Sequence, residues 1–267
     1  MPVVSMKGNS IINRGKVRDK LLEYSEQVLS KKPLTFCPSN EDADRLVKED
    51  PVAFVFAVIL TQGAQAERMW AIPYHLKKIM GHLDANIIAT MKTEDLSAVF
   101  EQLPQRPRYW NEAATMVIKA AQHINDRYGG HPERIWNDNP KGADLQSRLD
   151  SFYGIGPKKA SMAAVILAKD MNIPVRNWNE IDIAVDLMIQ RGFPRAGLSN
   201  SSSPSEIIES ARQLNPSFPG ALDQPCWDIG RQWCHPKVPE CSSCYIGQVC
   251  PKIGCCASTA SSTHAGD

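Results

Sequence analysis

The sequence predicts an all-α protein. Apolar residues recur at helical spacing along most of its 267 residues, and few stretches have the alternation or the short apolar runs of strands. The first helical stretch is NRGKVRDKLLEYSEQVLSKK, residues 13–32, where Val17, Leu21, Leu22 and Val28 follow a helical repeat. This pattern predicts an amphipathic helix near the N-terminus.

Three further segments are predicted to be helices, each by its own signal. PVAFVFAVILTQ, residues 51–62, is almost wholly apolar and begins with proline, which is typical of a buried helix. EAATMVIKAAQHINDRY, residues 112–128, is followed by Gly129 and Gly130, a common stop signal. KKASMAAVILAKDM, residues 158–171, begins directly after a turn that contains two glycines. These segments supply most of the predicted core.

The overall composition is that of a folded protein without a strong charge of either sign. Hydrophobic residues make up 43% and charged residues 22% of the chain, and the formal net charge is +1. A nucleic-acid site would therefore be a local patch. No apolar run has the length of a signal peptide or a membrane span, which predicts a soluble intracellular protein with reduced cysteines. The small, polar residues 257–267 predict a disordered tail.

Six of the eight cysteines lie between residues 234 and 256. Cys234, Cys241, Cys244 and Cys250 are separated by six, two and five residues, and four thiolates on one loop can converge on a single metal centre. Spacing alone leaves open an iron–sulfur cluster, a zinc ion or disulfides. The isolated Cys37 and Cys226 are predicted to be ordinary buried thiols.

A glycine-rich turn precedes the predicted helix at residues 158–171. In FYGIGPKKA, Gly154 and Gly156 permit a tight turn and the close approach of another chain. The helix that follows presents free backbone N–H groups, which bind phosphate well. Lys158 lies in its first turn, where a neutral amine would be a nucleophile toward a sugar aldehyde. From the residues alone, the favoured explanation of Lys158 and Lys159 is that both are solvated phosphate contacts.

A candidate carboxylate lies in NEIDIAVDLMIQRGFPRAGL, residues 179–198, which contains Glu180, Asp182 and Asp186. A fixed carboxylate can stabilise a positive charge that develops in a reaction, and it can accept a proton. Asp182 could instead cap the following helix, and Asp186 could be a solvated helix residue.

Three of these patterns together resemble the endonuclease III family of DNA glycosylases, from about residue 50 to residue 250. C-x6-C-x2-C-x5-C near the C-terminus is similar to the family's four-iron, four-sulfur loop. GIGPKKA resembles the helix-hairpin-helix pattern G-[VI]-G-x-K-x-A, although Tyr153 stands where the family usually has proline. PVAFVFAVILTQ resembles the segment whose glutamine enters the gap left by an everted nucleotide. The match at this segment is Gln62, with Gln65 as the alternative.

The resemblance implies the roles of the matching residues. Cys234, Cys241, Cys244 and Cys250 would hold a [4Fe-4S] cluster, and no role is implied for Cys255 and Cys256. Gly154, Gly156, Lys159 and Gln62 would contact DNA, and Lys158 would be the catalytic nucleophile.

The catalytic carboxylate implied by the resemblance is Asp186. IAVD at residues 183–186 is similar to the family's I-A-V-D-x-H, with Arg191, Arg195 and Gly197 at matching positions further on. The chain departs from the family at Met188, which replaces the usual histidine. Gly192 and Pro194 predict a disturbed helix after Asp186. The alternative, Asp182, predicts a helix that ends at Gly192 but loses most of the motif.

The fold implied by the resemblance is an all-α, two-lobed helix-hairpin-helix glycosylase fold. Residues 47–171 would form a six-helix barrel with the hairpin, and residues 172–256 a helical cluster domain joined by the N-terminal residues 1–46. Lys158 and Asp186 would face each other across the cleft between the lobes.

The function implied by the resemblance is that of a DNA repair glycosylase with abasic-site lyase activity. Its partner would be duplex DNA with a damaged or mispaired base, and the enzyme would act as a monomer, away from membranes. Oxidised pyrimidines are the favoured substrate. Two alternatives stay open: a monofunctional glycosylase for uracil, mismatched thymine or alkylated bases, and a non-catalytic iron–sulfur DNA-binding protein.

Overall fold

The fold, seen in a computed structural model that describes residues 6–61 and 66–255, is helical, and the described residues contain no strand beyond an isolated bridge between Lys141 and Arg176. The all-α prediction is confirmed. The α-helices in chain order are α1 Met6–Tyr24, α2 Glu41–Glu49, α3 Pro51–Leu60, α4 Ala66–Trp70, α5 Ile72–Met80, α6 Ala85–Ala89, α7 Thr93–Glu101, α8 Trp110–Tyr128, α9 Gly142–Asp150, α10 Pro157–Val165, α11 Leu187–Arg195, α12 Pro204–Leu214 and α13 Asp223–Gln232.

Shorter helical turns extend or connect these elements. Two π-helical turns, Ser25–Leu29 and Ile166–Asp170, continue α1 and α10, and 3-10 turns form at Pro132–Ile135, Trp178–Glu180 and Pro219–Leu222. In the part of the chain that the structure describes, no helix is both long enough and apolar enough to cross a membrane.

The chain divides into two compact units. The central unit comprises residues 33–184, and the terminal unit comprises the described parts of residues 1–32 and 185–267. The boundaries therefore fall near residues 33 and 185, not at the expected 47 and 172. Contacts of two segments explain the difference. Helix α2 buries Ala43 and Val47 against the central unit. Residues 172–184 are bonded to α9, because Gly142 N donates to Arg176 O and Gln146 Nε2 donates to Glu180 O.

Helix α3 is the core of the central unit. Asp50 caps its first turn by accepting hydrogen bonds from Val52 N and Ala53 N at 2.9 and 3.2 Å. All eight residues from Ala53 to Leu60 are buried, as the apolar sequence predicts. An aromatic group comprising Phe36, Phe54, Trp70 and Trp136 packs around the N-terminal half of α3. This buried helix supports the elements that carry the glycine turn.

Helices α9 and α10 form a hairpin in the central unit. The turn between them, residues 151–156, places Gly154 at φ +93°, in the left-handed region that favours glycine. A Cβ at Gly154 would lie 3.1 Å from Met116 Sδ and 3.3 Å from Ile59 Cγ2. The turn is therefore packed closely on α3 and α8. Helix α8 runs to Tyr128 and ends with Gly129 at φ +63°, as predicted.

In the terminal unit, α11 packs against α13, and α1 packs against α12 and α13. The approach of α11 and α13 is close, because a Cβ at Gly230 would lie 2.7 Å from Met188 Cβ. Met188, which departs from the family pattern, is thus a packing residue at this helix contact. Tyr24 joins α1 to α13 through a 2.5 Å hydrogen bond from its hydroxyl to Asp228 Oδ2.

Candidate functional site

The two adjacent lysines at the start of α10 have different surroundings. Lys158 is exposed, and within the described residues its ammonium has no hydrogen-bond or ion-pair partner. Lys159 Nζ donates to Ile59 O at 2.5 Å and to Gly154 O at 2.9 Å. Burial, with the charge of Lys158 second, lowers the pKa of Lys159 to about 8. Lys158 is therefore the amine of this pair that is open to a reaction partner.

The surroundings of Lys159 correct one sequence-based expectation. It was expected to contact DNA as a solvated side chain, but its ammonium instead binds carbonyls at the end of α3 and in the glycine turn. Consecutive helix residues point about 100° apart, so the two lysines cannot share one face. Lys159 therefore links the hairpin to α3 by hydrogen bonds.

The remaining residues of the turn are placed as follows. Gly156 is exposed and is the N-cap residue of α10, with open space where a Cβ would lie. Tyr153 is 50% exposed, and Lys119 Nζ lies 4.0 Å from the centre of its ring. This cation–π pair was not expected from the sequence, because residues 119 and 153 are distant in the chain. Gln62 and its alternative Gln65 lie outside the described residues.

Asp186 is the N-cap residue of α11. Its Oδ1 accepts hydrogen bonds from Met188 N at 2.8 Å and Ile189 N at 3.0 Å, which satisfies two free donors of the helix N-terminus. In the described part of the chain, Asp186 Oδ2 accepts no hydrogen bond. A carboxylate held by one oxygen at a helix N-terminus is fixed in position and keeps an oxygen available for a reacting group.

Asp182 occupies a different setting, in the extended segment before α11. Its backbone N–H donates to Gln146 Oε1 at 3.0 Å, and no helix begins at residue 183. The expected helix ending at Gly192 does not form. The expectation that Gly192 and Pro194 disturb α11 is also wrong, since α11 continues to Arg195. Pro194 lies in the last turn, where a single missing donor costs little, and Ala196 N still bonds to Gly192 O at 2.9 Å.

The four candidate cluster ligands line one cavity in the terminal unit. The cavity is lined by Cys234, Cys241, Cys244 and Cys250. Apolar residues complete the lining, among them Leu21, Leu198, Ile229 and Ile246. None of these thiols is in a disulfide. Burial raises the pKa of Cys244 to about 11 and raises that of Cys250. A metal that binds these sulfurs must displace their protons.

A single metal ion and a polynuclear cluster place different demands on the four thiols. Among the described residues, no group of three or more His, Cys, Asp or Glu side chains is placed to hold a single metal ion. In a [4Fe-4S] cluster each thiolate binds a different iron, so the four sulfurs stand farther apart than around one zinc ion. Four cysteine thiols around one cavity are a donor set that a zinc ion or a [4Fe-4S] cluster can use.

Close backbone packing shapes the cysteine loop, which we define as residues 233–255. A Cβ at Gly247 would lie 2.3 Å from Cys241 O and 2.9 Å from Cys244 O. Only glycine allows this approach, which folds the chain around the three later cysteines.

Two arginines bind the loop to α11. Arg191 donates to Cys234 O at 2.6 Å and Gly230 O at 2.8 Å. Arg195 donates to His235 O at 2.7 Å and Pro236 O at 2.9 Å, and its guanidinium lies 3.7 Å from Cys234 Sγ. Sequence reasoning aligned both arginines but missed this role. Their spacing of four residues on one helix face was the available signal.

The other two cysteines are buried thiols, as predicted. Burial raises the pKa of Cys37 to about 12 and also raises that of Cys226. Cys226 and also Cys255, to which no role was assigned, line the same cavity as the four candidate ligands.

Comparisons with known proteins find relatives of one kind. No protein-family model matches the chain. Endonuclease III of Buchnera aphidicola subsp. Baizongia pistaciae (strain Bp) is 24% identical over 157 residues, which cover 58% of this chain and 63% of that protein. The match thus spans less than two thirds of the length of this curated relative.

Solved structures share the fold over most of the chain. A trapped covalent intermediate of endonuclease III with DNA, an estranged-adenine complex, has a TM-score of 0.62 at 17% identity and covers 91% of this chain and 95% of that chain. A non-covalent endonuclease III–DNA complex has the same score and identity, with 90% and 95% covered. A thermostable thymine-DNA glycosylase scores 0.62 at 15% identity, with 91% and 98% covered. The predicted helix-hairpin-helix glycosylase fold and the resemblance to endonuclease III are confirmed.

Proposed function

We propose that this protein is a DNA repair glycosylase that also cleaves the strand at the abasic site through a lysine Schiff base. One observation carries the proposal: an exposed, unpaired Lys158 lies in the first turn of α10, while the adjacent Lys159 is bound to two carbonyls. The free helix N-terminus beside Lys158 suits a DNA phosphate. The similarity to endonuclease III in sequence and fold supports duplex DNA as the partner.

In the proposed reaction, neutral Lys158 Nζ attacks C1′ of an everted nucleotide. The C1′–N bond breaks, and the base leaves with the bonding electrons and takes up a proton. Asp186 accepts the proton from the attacking amine and stabilises positive charge on the sugar. Ring opening yields the Schiff base, and loss of a proton from C2′ then expels the 3′ phosphate by β-elimination. Each role rests on an atom that the structure leaves available, Nζ of Lys158 and Oδ2 of Asp186.

Everting the target nucleotide costs a few kcal/mol, least for a damaged or mispaired base. We propose an oxidised pyrimidine as the substrate. The fold shared with a thymine-DNA glycosylase favours a second candidate, a monofunctional enzyme that removes mismatched thymine, uracil or an alkylated base while Lys158 only contacts DNA. A non-catalytic DNA-binding protein would keep the fold and release no base.

We further propose that Cys234, Cys241, Cys244 and Cys250 hold a [4Fe-4S] cluster. Support comes from their shared cavity and from the two arginines that bind the loop. The cluster would order the cysteine loop and its exposed Lys237, which would meet DNA phosphates. It takes no part in the bond-breaking steps. The enzyme would act as an intracellular monomer.

Borohydride trapping on a duplex with one abasic site tests the proposed lyase. The wild type should form a covalent adduct, and Lys158→Ala should abolish it. Lys159→Met should still form the adduct, because it keeps Lys158 as the nucleophile. Circular dichroism would check that this variant is folded. Asp186→Asn should lower the trapping rate at least tenfold, whereas Asp182→Asn should change it little.

The outcomes separate the candidates. A wild type with an intact cluster but no adduct would contradict the lyase, and base release on a panel of damaged duplexes would then indicate the monofunctional enzyme. Absence of both adduct and base release, with binding retained, would leave the DNA-binding protein. If the trapping rate falls more in Asp182→Asn than in Asp186→Asn, Asp182 and not Asp186 is the catalytic carboxylate.

A further inference from the structure

A cation–π pair lies beside the glycine turn of the hairpin. Lys119 Nζ, on α8, is 4.0 Å from the centre of the Tyr153 ring, and both side chains are exposed. Tyr153 stands where the family usually has proline, and proline has no aromatic ring that could attract a cation. The pair is therefore a feature of this chain and not of the family pattern.

Packing of the turn on α8 brings the two residues together. Gly154, which directly follows Tyr153, has φ +93°, and a Cβ there would lie 3.1 Å from Met116 Sδ. Met116 and Lys119 are three residues apart and so lie on the same face of α8. Lys159 also holds the turn, because its ammonium donates to Gly154 O at 2.9 Å. The backbone of the turn is thus fixed on α8, with residue 153 next to Lys119.

The charge of Lys119 is not neutralised by the protein. Among the residues that the structure describes, no hydrogen-bond acceptor and no carboxylate contacts its ammonium, and the Tyr153 hydroxyl forms no hydrogen bond. An aromatic ring restricts the positions of a lysine side chain but supplies no anion. The N–H donors of Lys119 therefore remain available to an anionic ligand.

Donors on the other side of Gly154 indicate which anion fits. Gly156 is the N-cap residue of α10, and its N–H donates to no acceptor in the part of the chain that the structure describes. Free N–H groups at a helix N-terminus bind phosphate well, and the exposed Lys158 lies in the same turn. Donors thus precede and follow Gly154 in the chain, which suits a ligand that repeats its phosphates at regular intervals, as a DNA strand does.

We propose that Lys119 binds a second DNA phosphate at the hairpin, next to the phosphate at the N-terminus of α10, and that Tyr153 is the positioning residue that holds Lys119 for this contact. The contact is an ion pair with hydrogen bonds, and no covalent bond changes. The inference rests on the proposed function, because it takes duplex DNA as the partner. It adds a residue of α8 to a surface that the turn and α10 form.

Binding of full-length variants to a duplex with one tetrahydrofuran abasic-site analogue tests the proposal. This analogue has no C1′ aldehyde and cannot form a Schiff base, so the measurement reports binding alone. Fluorescence anisotropy would give the Kd at KCl concentrations from about 50 to about 200 mM. The proteins are the wild type, Lys119→Gln, Tyr153→Leu, Tyr153→Phe and Lys119→Gln/Tyr153→Leu, and circular dichroism would check that each is folded.

Lys78→Gln is the matched control. Lys78 Nζ lies 5.3 Å from the centre of the Tyr74 ring, so this lysine also forms a cation–π pair with a tyrosine. Both residues belong to the central unit, but they lie on α5 and not on the hairpin. The control therefore removes the same charge from a similar setting and leaves the turn unchanged.

Lys119→Gln should raise the Kd about five- to tenfold, because it removes one charged hydrogen-bonding contact. The slope of log Kd against log salt should fall by about 0.9, the value for one lost phosphate contact. Tyr153→Leu should raise the Kd at least about threefold, whereas Tyr153→Phe, which keeps the ring, should change it less than about twofold. The double variant should bind like Lys119→Gln, because Tyr153 acts through Lys119. Lys78→Gln should leave the slope unchanged within about 0.3.

Three results would overturn the proposal. Lys119→Gln could keep the wild-type slope, Lys78→Gln could lower the slope as much as Lys119→Gln does, or Tyr153→Leu could weaken binding equally with and without Lys119. Any of these in a wild type that binds the duplex and forms the borohydride-trapped adduct would overturn this inference alone. A wild type that does not bind the duplex would contradict the proposed function, and this inference with it.

Discussion

Lys158 and Lys159 are adjacent in sequence, but their side chains have different surroundings in the structure. The sequence motif marks both as basic residues at a helix start, and only the resemblance distinguishes them. In the structure, Lys158 faces solvent and Lys159 donates to the carbonyl of Ile59, near the end of α3. Sequence reasoning could not find this contact, because Ile59 and Lys159 are 100 residues apart. The distinction supports the nucleophile that the motif favours.

The same buried lysine predicts a pH dependence of stability. Burial lowers the pKa of Lys159 to about 8, from 10.5 in an unfolded chain. Between these values the unfolded chain holds a proton that the folded chain lacks, so the free energy of unfolding should rise as the pH increases from about 8 to about 10.5. Below about pH 8, Lys159 does not make the free energy of unfolding depend on pH.

Urea unfolding of the wild type and Lys159→Met across pH 7–10.5 would measure this effect. The difference in unfolding free energy between the two proteins should change with pH only above about 8. Parallel pH profiles for both proteins would show that Lys159 keeps an ordinary pKa.

At the scale of elements, α11 connects two candidate sites. Its first turn is capped by Asp186, and its last two turns bind the cysteine loop through Arg191 and Arg195. The motif predicted the aspartate and aligned the arginines. It could not predict their targets, because backbone carbonyls carry no sequence signature. Helix α11 also continues through Gly192 to Arg195, where local propensity predicted a disturbed helix. Its packing on α13 outweighs the propensity of Gly192, and Pro194 lies in its last turn.

We expect Arg195→Leu to loosen the cysteine loop. Hydrogen bonds from a charged group each contribute about 1.5–3 kcal/mol, and Arg195 bonds to two carbonyls in a partly buried setting. The free energy of unfolding should fall by about 2–3 kcal/mol, and a chelator should remove iron at least several times faster. Urea unfolding and iron-release kinetics would measure the two effects.

Arg212→Gln is the matched control for this substitution. Arg212 is an exposed arginine of the same unit, 4.0 Å from Glu209, and its replacement should change the unfolding free energy by no more than about 0.5 kcal/mol. If Arg195→Leu behaves like this control, the carbonyl contacts of Arg195 do not stabilise the loop.

At the scale of the whole molecule, one unit is continuous in sequence and the other is not. Residues 33–184 form the central unit, and the described parts of residues 1–32 and 185–267 form the terminal unit. The resemblance predicted this joining of the N-terminal helix to the C-terminal helices. It placed the first boundary more than ten residues too late and the second more than ten residues too early, because the sequence does not show that α2 packs on α3 and α5 or that residues 172–184 bond to α9.

The division of the chain into two units predicts that removal of iron from the proposed cluster destabilises only the terminal unit. The candidate cluster cavity is lined only by residues of the terminal unit, and metal binding energy is folding energy for the part that forms the site. After chelation, amide protection should fall at least tenfold in α11 and α13 and stay within about twofold in α3 and α8. Hydrogen exchange with mass spectrometry would measure this, and an equal loss in both units would contradict it.

The discontinuous unit also sets an order of events during synthesis on the ribosome. Helix α1 leaves the exit tunnel first, but its partners α12 and α13 follow the 152 residues of the central unit. At about 5–20 residues per second, α1 waits roughly ten to forty seconds with Val17 and Leu21 uncovered, while the central unit can already fold. The cysteine loop emerges last of the described elements, so the proposed cluster can be inserted only after α12 and α13 have been translated.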